Sequence, residues 1–98
     1  GHTACGAVKG ACDGVELGNL TALLDEIEPA IDAVSTPVGA DRSSANTAFV
    51  NDVIETNVRM QVNELLRRSD VVRGLVDAGQ VKVVGAVHDI STGEVTFL

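Results

Sequence analysis

Val81-Lys82-Val83-Val84-Gly85-Ala86-Val87 is β-branched and apolar apart from one lysine, the pattern of a strand buried inside a sheet. After the turn residues Ser91-Thr92-Gly93, the stretch Glu94-Val95-Thr96-Phe97-Leu98 alternates as an edge strand does. A strand as apolar as Val81–Val87 wants cover on both faces and partners on both edges, and one hairpin partner cannot supply that. The sheet is therefore expected to be incomplete within these 98 residues, its other strands lying upstream or in a partner chain.

Everything before that strand reads as helix and loop. Asn19 is placed to cap a helix whose stripe is Leu20, Leu23, Leu24, Ile27, Ile31 and Val34, with Pro29 kinking or restarting it. Residues 35–44, with Pro37, Gly39, Asp41 and Arg42, read as a surface loop. The longest helix is expected from Ala45 to Arg68, where Val50, Val53, Ile54, Val58, Val62, Leu65 and Leu66 recur by threes and fours. Ser69-Asp70 can start a short helix ending at Ala78, with Gly79 as its stop.

Composition narrows the function. The chain is 45% hydrophobic and carries neither Trp nor Tyr, so a core of Val, Ala, Leu and Ile is expected in a single domain, 1–98. Fourteen acidic against seven basic residues leave a net charge of −7, the wrong sign for wrapping nucleic acid. No apolar run reaches the ~20 residues that span a bilayer, so a soluble, cytoplasmic protein is expected. Two cysteines are too few for a disulfide framework. The only Met is Met60, and Gly1 opens the chain, so an upstream portion is expected to have been removed.

The residues that carry chemistry are at the start. His2 and Cys5 stand three apart at a loop-to-helix junction, where an imidazole and a sulfur can reach one point in space. These are ligand types that zinc prefers, and a helix start favours an anionic ligand atom. By itself His-x-x-Cys is a weak pattern that an ordinary helix start could also produce. Cys12, seven residues on, lies about 10 Å further along the helix and reads as a small buried residue. Gly6, Gly10 and Gly14 suggest close helix packing.

Gly1-His2-Thr3-Ala4-Cys5-Gly6-Ala7-Val8 resembles the second metal motif of the β-class carbonic anhydrases. Val83 to Val95, through Gly85-Ala86-Val87-His88-Asp89 and Thr92-Gly93, resembles that family's closing strand and turn, and Glu55-Thr56-Asn57-Val58 with Gln61-Val62 its penultimate long helix. The resemblance implies an α/β fold, part of a mostly parallel sheet flanked by helices, and a zinc lyase that hydrates carbon dioxide reversibly to bicarbonate as a homo-oligomer. It implies His2 and Cys5 as metal ligands and the backbone N–H of Gly6 as a hydrogen-bond donor to bicarbonate.

One family element is missing. The upstream Cys-x-Asp-x-Arg motif does not occur here, and Asp41-Arg42, adjacent in sequence and downstream, reads as a solvated loop pair. His88 stands where the family commonly has Tyr and reads as a hairpin-end histidine. With two ligands where a catalytic zinc needs three, the 98-residue chain alone is expected to be inactive and to need its upstream half. Two rivals stay open: a non-catalytic remnant acting as an assembly module, and a small metal-binding sensor taking further ligands from a second copy.

Overall fold

In the computed structural model, which describes residues 1–98, the chain forms five helices and two short strands. The helices are α1 (Gly6–Cys12), α2 (Asn19–Asp25), α3 (Glu28–Ala33), α4 (Thr47–Arg68) and α5 (Asp70–Asp77); the strands are β1 (Ala86–His88) and β2 (Val95–Phe97). The core is a cluster of Val8 from α1, Leu24 from α2, Ile27, Ala30 and Val34 in and around α3, and Phe49, Val50, Val53 and Ile54 from α4. The α4 members fall at the i, i+1, i+4, i+5 spacing that puts them on one face. Val53 is fully buried.

Local chemistry sets the helix boundaries. Pro29 lies in the first turn of α3, where a missing N–H costs nothing, so the expected restart occurs there and α2 stops at Asp25. Asn19 does not cap α2. It is already helical, Gly18 precedes it, and the freed Leu17 N–H is taken by the Thr21 hydroxyl at 2.8 Å. Asn46 caps α4 by accepting the Phe49 N–H, and Ser69 caps α5 by accepting the Val72 N–H. Gly79, at φ +71°, ends the segment after α5 in the left-handed region that glycine enters freely.

Several expectations need correction. Leu20 and Leu23 point outward, 37% and 56% exposed, so the first stripe reaches the core through Leu24, Ile27 and Val34, joined by Ala30, with Ile31 partly buried against them. Of the three glycines, only Gly10 faces a neighbour, Leu24; space is open around Gly6 and Gly14. The Asp41-Arg42 pair is not simply solvated. Arg42 donates to the Ile31 and Val34 carbonyls at 2.6 and 2.8 Å and to the Thr36 hydroxyl, while its guanidinium lies over the Phe49 ring. It thus closes the C-terminal end of α3 against the start of α4.

The sheet is smaller than expected and is not a clear parallel sheet. β1 and β2 form an antiparallel pair, Ala86 opposite Phe97 and His88 opposite Val95. Only two residues of the long apolar run, Ala86 and Val87, are strand, because a strand is defined by its partners and Val81–Val84 have none alongside. One parallel contact is present. Gly1–Thr3 lies along the free edge of β1, bridged His2 to His88. The Gly1 N donates to the Ala86 carbonyl, the His88 N–H to the Gly1 carbonyl and the Thr3 N–H to the His88 carbonyl, each at 2.9 Å.

Candidate metal centre

The candidate site sits where this short parallel segment ends and α1 begins, the place at which α/β sheets characteristically bind ligands. His2 is exposed and belongs to the segment bonded to β1, while Cys5 is half-buried as the residue capping α1 and packs against the core cluster. Between them Ala4 adopts φ +55°, the one non-glycine residue in the molecule with a left-handed backbone. That conformation costs an L-residue roughly 1–2 kcal/mol, and here it turns the chain sharply from strand to helix.

Each donor group is available. The His2 Nδ1 lies 2.9 Å from the Thr3 carbonyl, which can only accept, so Nδ1 carries the hydrogen and the neutral ring keeps its lone pair on Nε2. A ring nitrogen tied to a carbonyl is the usual support of a metal-ligating histidine. Cys5 is a free thiol; its carbonyl accepts the Lys9 N–H at 3.0 Å, but its side chain makes no capping bond. The Gly6 N–H, first in α1, is engaged by none of the turn and loop hydrogen bonds, and open space lies where a side chain would stand.

The junction is held from the strand side. Thr3, which sequence reasoning passed over, donates its N–H to His88 and accepts the Ile90 N–H on its hydroxyl at 3.1 Å. His88 sits at the exposed end of β1, as a hairpin-end residue should, yet its main chain carries two of the three bonds between β1 and the segment containing His2. Asp89 shapes the turn that follows by accepting the Ser91 N–H and hydroxyl, which hold its carboxyl below the usual range. Neither Thr3 nor Ala4 advertises its role in sequence: threonine is common, and a left-handed position usually announces itself with Gly or Asn.

Cys12 is elsewhere. It is a free thiol packed on the core at the end of α1, where burial, helped by the adjacent Asp13 charge, pushes its pKa up. No three His, Cys, Asp or Glu residues converge in the manner of a metal site, so zinc's donor chemistry is met here by two residues and its ligand count is not. No helix is long and apolar enough to cross a membrane.

No curated protein matches the chain. The family model described as carbonic anhydrase matches residues 1–95, a span that takes in the strand-to-helix junction, the long helix and the β1–β2 turn. The chain belongs to the carbonic anhydrase family and is β-carbonic-anhydrase-like.

Proposed function

We propose that this chain provides one half of a zinc site for the reversible hydration of carbon dioxide, with His2 and Cys5 as its metal ligands. The observation that carries the reading is the junction itself. On either side of one turn at Ala4 stand a histidine whose Nε2 is left as the free donor atom and a cysteine whose side chain is unused at a helix start, which supports this reading. Membership of the family over residues 1–95 supports the choice of reaction. Zinc, when bound, would make water acidic enough to act as a nucleophile near neutral pH.

The residues of this chain then have distinct tasks. The Thr3 carbonyl orients the His2 ring through Nδ1. Cys5 presents its sulfur from the rigid end of α1, and the Gly6 N–H donates to the anionic product. The remaining ligands come from outside these residues, from an upstream segment bearing Cys-x-Asp-x-Arg or from a second copy of the chain. The exposed Val84, Leu65, Val95 and Phe97 offer apolar surface for such association.

The test is stopped-flow hydration of carbon dioxide by the full-length protein and by the 98-residue chain. Zinc-dependent activity is expected in the first, lost in His2→Ala, and little or none in the second. Full activity in His2→Ala would overturn the ligand assignment, and a full-length protein that binds no zinc would favour the assembly-module reading.

A further inference from the structure

Val58 of α4 is wedged against two glycines at once. A Cβ built on Gly1 would lie 2.6 Å from the Val58 Cγ2 and 3.3 Å from the Ile54 Cγ2; one built on Gly85 would lie 2.7 Å from the Val58 Cγ1 and 3.3 Å from the Val62 Cγ2. Gly1 immediately precedes His2, and Gly85 immediately precedes β1, to which the His2 segment is bonded. Gly85 also accepts the Leu98 N–H at 2.9 Å, tying in the end of β2. One side chain therefore sets how closely the long helix approaches both strands beside the candidate site.

The wedge has little freedom. A helical valine holds one χ1 rotamer in about 90% of cases, and here each methyl meets a different glycine, so no rotation relieves both contacts. Carbon atoms in contact rest about 3.5–4.0 Å apart, so a methyl added at Gly85 would force the strand and helix roughly 1 Å apart. A metal site tolerates displacements of about 0.5 Å. The fully buried part of α4 ends at Ile54, and beyond that point Val58, with Val62 further off beside Gly85, is the side chain closest to the strands.

We propose that Val58 is a positioning residue: seated between Gly1 and Gly85, it fixes the strand from which His2 reaches the metal. The inference rests on the reading of His2 as a ligand. It is tested by titrating cobalt(II) into the zinc-free full-length protein and recording affinity and the visible ligand-field spectrum. Gly85→Ala is expected to weaken cobalt binding by about 10-fold or more and to shift the spectrum. Combining Gly85→Ala with Val58→Ala, which opens room for the new methyl, is expected to restore both, and Val58→Thr, which keeps the branched shape, to leave both unchanged. Cobalt retained in His2→Ala overturns the ligand reading and this proposal with it. Cobalt lost in His2→Ala but unaffected in Gly85→Ala overturns the proposal alone. If Gly85→Ala does not fold, the double variant decides: folded with wild-type affinity and spectrum it supports the wedge, and folded with weakened binding it refutes it.

Discussion

The chain up to Ile54 and the chain beyond it are built differently. All nine buried residues lie between Val8 and Ile54, where α1, α2, α3 and the first half of α4 close on one another. From Glu55 to Leu98 none is buried, although that region holds β1, β2, α5 and the apolar run 81–87. The whole molecule shows the same imbalance. Its accessible surface of 6395 Å² exceeds the roughly 5,300 Å² typical of a monomer of this mass. Its radius of gyration of 15.0 Å exceeds the roughly 13 Å of a closed domain of this length. The first region carries its own core, and the second, although α4 packs on β1, leaves many apolar side chains exposed. The candidate ligands divide along the same line: Cys5 stands on the helix anchored in the core, and His2 on the segment bonded to β1.

The sharpest way to break this contrast is a pair of truncations. Phe49→Ala empties a site only 2% exposed and is expected to cost about 3–5 kcal/mol, enough to unfold a marginal chain. Val71→Ala, at a position 74% exposed on α5, is expected to change stability by no more than about 0.5 kcal/mol. Urea denaturation of both variants measures the difference. A Val71 penalty approaching that of Phe49 would mean that the second region is covered in solution.

A smaller effect belongs to the joint between the regions. Ala4→Gly removes the strain of a left-handed alanine while loosening the unfolded chain, and the balance is expected to be a gain of less than about 1 kcal/mol. A loss of stability in thermal unfolding would show that the turn is not strained.

The smallest effect is electrostatic and lies in the second region. Hydrogen bonding from Arg67, aided by Arg68, lowers the Glu64 carboxyl to about 2. A carboxyl depressed in the folded state adds stability that is present above its unfolded value and is lost as pH falls through the folded one. The Glu64 contribution should therefore fade between about pH 4.3 and pH 2. Because the group is solvent-facing and salt-screened, the change is expected to be slight. An NMR titration of the side-chain carboxyl checks it, and an ordinary carboxylate midpoint there would remove the interaction.

What could be read from sequence tracks the same division. In the helical region periodicity and end signals worked in part: Pro29 restarts α3, and of the expected α4 stripe Val50, Val53 and Ile54 are buried, whereas Val58, Val62 and Leu66 are not and Leu65 is 46% exposed. They failed at Leu20, Leu23 and Asn19, where a glycine and Thr21 took over the helix start. In the sheet region a strand was expected over 81–87 and only its end is one, because strand formation depends on distant partners that no local pattern encodes. Arg42 was misread for a similar reason. Its role comes from two carbonyls eight and eleven residues earlier and a ring seven residues later. His2 and Cys5 were visible as a spacing, but the Ala4 turn between them and the Thr3 bonds beside them were not.

The central claim is that the two cysteines have opposite roles, and zinc stoichiometry of the protein tests it most directly. Cys5→Ser replaces a thiol that heads α1 beside His2 with a poor zinc ligand and is expected to abolish tight zinc binding. Cys12→Ser, on the core side of the same helix, is expected to keep one zinc per chain and to lose only about 1–3 kcal/mol of stability. Zinc retained in Cys5→Ser, or lost equally in both variants, would contradict the account.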